Sequence, residues 1–480
     1  MVRLGMRPVF HAGFITANLL LSTVPQADNA GTILQPNSDC RFHRQPQPLH
    51  PAATTEDWPH FLGPRHNNHC RETHLRRDWP DAGPTVVWEM RRGTSYAAPA
   101  IRGEYLVYPH RIGNDVVIDC LHPATGARYW RHTWPTEYQD HYGYQNGPRA
   151  TPAISDDGLV YVYGTAGHLV CLQLTSGEVR WQRDIAEEFG GHRQFFGTAT
   201  SPLIEGPLLI INIGAPGGPC VAAFDRHSGE LAWRAGDQWG PSYATPVPAD
   251  MYGRRRLFVF AGGKSKPPVG GLLSLTSDDG QICDRFAWRS ETYESVNASN
   301  PVVIGNRVLI SASYGVGTAM LEVQPDGTLE KVWTSQLGTH WSTAVARGNH
   351  IYAIDGRHER TAELVCIEAA TGKVVWRETP EWTDRIDDKA GGRDARMRIF
   401  RGSLLSADGD FLCLGEFGHL LWLDLQPSGY REISRTWLFP APQTWTPPVI
   451  SRGLLYICQN EPRLDNGGER RLRCYDLRAP

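Results

Sequence analysis

The chain has 480 residues, with 49 Gly, 35 Pro and only 21% charged side chains. That mixture favours many short strands joined by tight turns over a helical or a disordered protein. A formal charge of −3, with the basic residues scattered, gives no reason to expect a nucleic-acid or anionic-membrane partner.

Arg3 and Arg7 precede an apolar run from Val9 to Val24, broken by His11 and Asn18, with small residues near Ala27 and Ala30. Residues 1–30 therefore read as a secretory signal peptide with a poor cleavage site. Export to the periplasm or beyond is expected; if the segment is not a working signal, the location is cytoplasmic. Cys40 follows Ser38-Asp39, which does not suit a lipoprotein anchor. Residues 31–56, rich in Pro, Gln and Asn, read as a flexible linker. His60, His66, His69, Cys70 and His74 form the one cluster of metal-capable side chains. Their Pro/Asn-rich setting suits a solvated loop better than a rigid tetrahedral site. No stretch after residue 30 is long and apolar enough to span a bilayer.

From residue 85 the chain repeats itself. Trp88, Trp130, Trp181, Trp233, Trp288, Trp333, Trp376 and Trp437 recur at an average interval of about 50 residues, the period of a propeller blade. The words before them match: Ala124-Thr125-Gly126, Ser176-Gly177-Glu178, Ser228-Gly229-Glu230, Asp326-Gly327 and Ala370-Thr371-Gly372-Lys373. In one repeat, Ala150 to Ile154 reads as an innermost strand A and Leu159 to Gly164 as strand B. His168 to Leu174 reads as strand C and Glu178 to Arg183 as strand D, with Gly, Asp and Ser turns between. The same order starts again at Ser95, Thr200, Tyr243, Ala298, Ser342, Gly402 and Thr446.

The last copy stops after a strand C, Arg473 to Leu477, while Thr85 to Met90 is a D-strand phrase with no blade before it. An unpaired edge is a hazard, so the N-terminal phrase is expected to complete the last blade. The prediction is an all-β, eight-bladed propeller of four-stranded antiparallel blades, in one domain over 57–480. Its eight tryptophans dock one blade on the next, each N–H wanting one acceptor. Cys120, Cys171, Cys366 and Cys474 share one repeat slot with Ala223, Met320 and Trp422, so the ten cysteines read as packing residues. Arg254-Arg255-Arg256 reads as a solvated turn. The longest interval, Trp376 to Trp437, carries an insertion over 377–401 in a D-to-A loop. It is expected to overhang the channel mouth as a charged surface loop, with a lid or docking role as the lesser reading.

The phrase strand–(Thr/Ser)-Gly-(Glu/Lys)–x–x–Trp resembles the pyrroloquinoline-quinone (PQQ)-like repeat of quinoprotein alcohol dehydrogenases and of BamB-like assembly lipoproteins. Asp57-Trp58-Pro59-His60-Phe61-Leu62-Gly63-Pro64, Asn146 to Pro152 and Trp445 to Val449 look most like exported members of the planctomycete type. The resemblance implies architecture more than activity. In the dehydrogenases it implies PQQ held against a Trp, Ca²⁺ on carboxylate and amide ligands, a catalytic Asp and often an adjacent Cys-Cys pair. Trp239, Trp341 and Trp445 and the amides Asn146 and Asn297 could serve. There are no adjacent cysteines, however, and no carboxylate in the D-to-A phrases, though Asp140 and Glu294 are near.

Those D-to-A phrases are rich in aromatic and polar residues, the usual material of a ligand site. They supply the candidate binding residues Tyr144, Asn146, Arg149, Phe196, Trp239, Tyr243, Asn297, His340, Trp341 and Trp445. Gly263-Lys264-Ser265 and Gly315-Val316-Gly317 each lack a glycine that a phosphate-binding loop requires. The expectation is a monomeric, non-catalytic propeller binding a small molecule, cell-envelope component or protein, with no cofactor, no metal and no catalytic residue. The alternatives are a PQQ- and Ca²⁺-dependent alcohol or sugar dehydrogenase and a BamB-like envelope scaffold.

Overall fold

Eight antiparallel sheets follow one another around a central channel. The computed structural model describes residues 34–190, 194–215, 217–388 and 391–479. The expected signal segment, Arg193, Lys389 and Pro480 lie outside them. Seven blades take their four strands in chain order over 100–135, 153–184, 203–235, 247–287, 302–335, 345–378 and 403–437. The eighth combines Val449–Ser451, Leu454–Gln459 and Arg471–Asp476 with the N-terminal strand Thr85–Arg91, which closes the ring as its strand D.

Each blade docks on the next through one aromatic slot. In six blades a strand-D Trp faces the strand-C packing slot: Trp130 opposite Cys120, Trp181 opposite Cys171, Trp233 opposite Ala223, Trp333 opposite Met320, Trp376 opposite Cys366 and Trp88 opposite Cys474. A β-bulge follows the slot and turns the indole toward the neighbouring blade. There it lies against the turn glycine of the repeat phrase: Trp88 on Gly126, Trp130 on Gly177, Trp181 on Gly229, Trp233 on Gly280 and Trp333 on Gly372. These glycines have φ of +69° to +74°, and a Cβ at Gly177 would sit 2.6 Å from the Trp130 ring. Only glycine meets both demands. Except at Trp233, the indole N–H then donates to a carbonyl of the neighbouring turn, as in Trp88 to Pro123 at 2.7 Å and Trp130 to Leu174 at 2.7 Å.

Two of the eight tryptophans do not occupy this slot. In the fourth blade the residue opposite Ser274 is Asp284, and Trp288 lies beyond the end of strand D. Its place is filled by Arg256, 1% exposed, whose Nη2 donates to Pro325 O at 2.8 Å while Gly327 packs on the guanidinium. The triplet Arg254-Arg255-Arg256 is therefore the start of strand Arg254–Ala261, not a solvated turn. Arg255 pairs with Glu205, and Arg256 is a core residue.

In the seventh blade Ser434 faces Trp422, and Trp437 sits three residues on, opposite His419. The cause is the ring closure. The eighth blade has no C-to-D turn to receive an indole, so residues 76–83 fill the gap. Ser434 and Trp422 donate to the carbonyls of Arg77 and Arg76, and Trp79 packs 6.1 Å from Trp422.

A second tie runs around the channel. Over five successive junctions the Thr, Ser or Asn just before strand A accepts a main-chain N–H from the preceding blade: Ala98 to Thr151, Thr151 to Ser201, Ser201 to Thr245, Thr245 to Asn300 and Asn300 to Thr343. The Thr-Pro and Ser-Pro words at 151, 201 and 245 belong to this chain of bonds, which Asn300 and Thr343 continue.

The segment before the closing strand is built into the propeller. Cys40–Phe42, in the expected linker, is a fifth strand paired with Thr85–Arg91. Residues 56–72 run across the end of the channel opposite the D-to-A loops, bonding to strand A of several blades. Trp58 exchanges N–H···O bonds with Ile101, Ile154 N–H reaches Pro59 O, and His69 Nε2 lies 2.7 Å from Ala346 O. His69–Cys70 pairs in parallel with Ser403–Ala407. Most of the histidine cluster is thus packed rather than solvated: His60, His66 and His69 are half-buried and Cys70 is buried, while His74 is exposed and stacks on His50. His60 and His66 stack at 4.1 Å, and burial pushes His60 down to about 4.

Removing residues 34–91 deletes the closing strand and this plug together. The expected outcome is loss of the single cooperative unfolding transition in calorimetry; an unchanged transition would rule out closure as described. Arg256→Ala is expected to destabilise by about 2–4 kcal/mol, through a cavity and an orphaned carbonyl, measured by denaturant unfolding. A loss of about 0.5 kcal/mol or less, the surface-residue range, would contradict its docking role.

The plug also carries a titration. The Glu72 carboxylate, 1% exposed, accepts the N–H groups of Glu56 (3.1 Å), Gly453 (2.6 Å) and Arg452. Burial outweighs those donors and pushes its pKa from 4.5 up to about 7. The folded state therefore binds this proton more tightly than the unfolded chain. The stability it contributes is full below about pH 4.5 and is lost as pH rises to about 7, by roughly 3 kcal/mol at most. Glu72→Gln is expected to flatten the fall of Tm between these limits; parallel Tm–pH curves would refute it.

Candidate functional site

D-to-A loops and B-to-C turns emerge on the same face of a propeller. Here they surround a cavity of about 270 Å³ at the channel mouth. Phe61, from the N-terminal plug, and Ala199, Ser201, Ala298 and Pro447, from the segments leading into strand A, are among its lining residues. Phe61 thus brings the N-terminal plug to the wall of the cavity.

Of the ten candidate binding residues, seven line this cavity: Tyr144, Arg149, Phe196, Tyr243, His340, Trp341 and Trp445. Their rings touch in series. Phe196 meets Tyr144 at 5.5 Å and Tyr243 at 5.8 Å, Tyr144 meets Trp445 at 5.7 Å, and Trp445 meets Trp341 at 4.9 Å. Tyr243 takes the Phe196 N–H on its hydroxyl oxygen at 2.9 Å, which fixes that edge.

The other three are structural. Asn146 accepts the Asp140 N–H at 2.7 Å and shapes its own loop. Asn297, 1% exposed, donates to Ala261 O and Trp288 O. Trp239 packs against the core between the third and fourth blades. Asn146 and Asn297 looked like site amides because they sit in the right loops, but the loop backbone uses them.

Sequence reasoning missed Phe61, Tyr96, Tyr314 and Arg357, which also line the cavity. Tyr96 belongs to the loop after the closing strand, which is a D-to-A loop only once the ring is closed. Tyr314 and Arg357 lie in B-to-C turns, and Tyr314 holds a left-handed φ of +65°. Gly315 and Gly317 beside it were the available signal. The expected overhanging insertion is a hairpin, Glu381–Asp388 with Gly391–Arg398. Trp382, Ile386 and Met397 bury it against the sixth and seventh blades, and Asp384 Oδ2 lies 2.7 Å from His419 Nε2. None of its described residues lines the cavity.

The charges at the mouth are mostly spoken for. Arg149 Nη2 lies 2.8 Å from Asp140 Oδ2, and its guanidinium stacks on Tyr96 at 5.4 Å. Arg401 is held by Glu416, Nε to Oε2 at 2.9 Å, and stands 5.2 and 5.0 Å from the Trp341 and Trp445 rings. Glu416 also accepts the Trp445 N–H at 3.0 Å. His340 is pushed down to about 3, first by burial and then by Arg357, Arg401 and His358, so it is neutral near pH 7. The Tyr314 hydroxyl lies 3.4 Å from its Nε2.

This lining does not suit Ca²⁺-held PQQ. Calcium takes six to eight oxygen ligands, several of them anionic. The cavity presents no Asp or Glu and two arginines, a donor set that repels a divalent cation. Among the described residues no group of three His, Cys, Asp or Glu is placed to hold a metal ion. All ten cysteines are free, and no described helix is long and apolar enough to cross a membrane.

Comparison with known proteins agrees with the architecture. Solved structures of similar fold include a europium-containing methanol dehydrogenase, with TM-score 0.65 and 9% identity over 88% of this chain and 98% of that one. BamB from Moraxella catarrhalis gives TM-score 0.54 and 14% identity over 83% and 99%. A quinohemoprotein alcohol dehydrogenase from Comamonas testosteroni gives 0.57 and 12% over 88% and 81%. At these identities the likeness is one of fold. No curated protein matches the chain by sequence. The family model described as outer membrane protein assembly factor BamB matches residues 114–378, more than half of the chain, and the protein belongs to this family of PQQ-like repeat β-propellers.

Proposed function

We propose that the protein is an exported, non-catalytic binding propeller that takes a small organic ligand into the aromatic cavity at its channel mouth. The observation that carries this reading is the series of touching rings around a cavity walled in part by Phe61. Such a cavity offers large apolar contact at low entropy cost, with a few polar groups to orient the ligand. No lining residue is a carboxylate positioned to act as general base or metal ligand, and His340 is neutral and buried. Export is supported by the charged-then-apolar pattern of residues 1–30. A second reading, a scaffold for a protein partner, draws on the family's description as an assembly factor and on Tyr142, 52% exposed beside the mouth.

The protein would be titrated with aromatic and aliphatic small molecules while tryptophan fluorescence and heat are followed. Saturable binding is expected, weakened about tenfold or more by Trp445→Ala. Parallel incubation with PQQ and Ca²⁺ is expected to give no dye-linked oxidation of alcohols or sugars. Saturable turnover there would overturn the non-catalytic reading.

A further inference from the structure

We infer that the cavity selects a small organic monoanion, its acid group seated on Arg357 and its apolar body against the rings of Trp341 and Trp445. This rests on the reading of the cavity as a ligand site and adds the ligand's charge and polarity.

Three guanidinium groups reach the aromatic mouth, and two are matched. Arg149 is paired with Asp140, whose side chain is fully buried, and Arg401 with Glu416, whose side chain is 3% exposed. Arg357 differs. Its guanidinium stands 4.1 Å from the Tyr314 ring centroid and lines the cavity, yet it makes no ion pair among the described residues. A cation stacked on a ring keeps its N–H fork available for a bidentate acceptor, and a carboxylate fits that fork. The Tyr314 hydroxyl, 3.4 Å from His340 Nε2, is at the same corner.

The rest of the cavity excludes other charge classes. No lining carboxylate could balance an amine or a metal ion. Arg401 stands 5.2 and 5.0 Å from the Trp341 and Trp445 ring centroids, and its charge polarises this wall of the mouth. An electron-rich ligand gains from that polarisation and a cation loses. The field also registers on His340, which Arg357 and Arg401 help to keep neutral. Phe61, Phe196 and Val296 leave the remaining surface apolar, and one available guanidinium with about 270 Å³ suits one acid group on a compact body.

The test uses phenylacetate, phenylacetamide and phenethylamine, matched in shape and differing in charge, titrated into the full chain by calorimetry. Phenylacetate is expected to bind about tenfold or more tighter than the amide, and the amine more weakly than either. Arg357→Gln should abolish the acid's advantage over the amide with the fold intact by circular dichroism, since the side chain is exposed. Arg357→Lys should restore part of it. If the amide binds as tightly as the acid, or Arg357→Gln leaves the difference intact, charge selection is refuted and the ligand-site reading stands. Absence of binding by all three at millimolar concentration overturns both.

Discussion

An indole lying on a glycine holds this ring together. The strand-D tryptophan has no room to dock unless the facing turn lacks a Cβ, and the turn has no reason to hold φ near +70° without glycine. The two demands meet in one contact, repeated between blades, and at every docked tryptophan but Trp233 the indole N–H closes it with a single carbonyl. Because the contact is made between sheets, no blade buries its own apolar faces alone, and stability is distributed around the circle. The constraint is strict about the slot and lenient about its chemistry. Where Asp284 displaces the indole, Arg256 arrives from the neighbouring strand with an equivalent flat donor and reaches the corresponding turn carbonyl.

What could be read from the sequence follows from that division. Blade number, the slot shared by Cys120 and its counterparts, and the closing strand at Trp88 all depend on local words at fixed spacing. Those words are the docking contact itself. Trp288 and Trp437 misled because spacing alone places them; only strand register shows Asp284 and Ser434 in the slot. Arg256 was misread for the opposite reason. A buried guanidinium has no periodic signature, and its neighbours Arg254 and Arg255 are exposed.

The site was readable in proportion to how much of it lies on D-to-A loops. Seven of ten candidates meet at the mouth because aromatic side chains there have nothing else to pack against. Asn146 and Asn297 fail for a physical reason: an amide in a tight loop is worth more to the backbone than to a ligand. Phe61 lies far from its cavity neighbours in sequence and reaches them only through the plug. Tyr314 and Arg357 come from turns whose partners are set by curvature of the ring rather than by any local pattern.

The plug and the mouth act on each other through the channel they share. Without residues 56–72 Phe61 would be missing from the cavity wall, and water in its place would weaken every electrostatic contact at the mouth. Phe61 keeps that part of the wall apolar, so the charges around it must be balanced locally. Buried Asp140 and Glu416 do that for Arg149 and Arg401, and both guanidinium groups then stand over aromatic rings. Arg357, at the exposed rim, needs no such partner, because water solvates it until something drier arrives. A ligand that brings its own carboxylate replaces that water at little cost. Interior carboxylates thus keep the mouth in shape, while Arg357 makes no ion pair among the described residues and is, on the proposed reading, left for recognition.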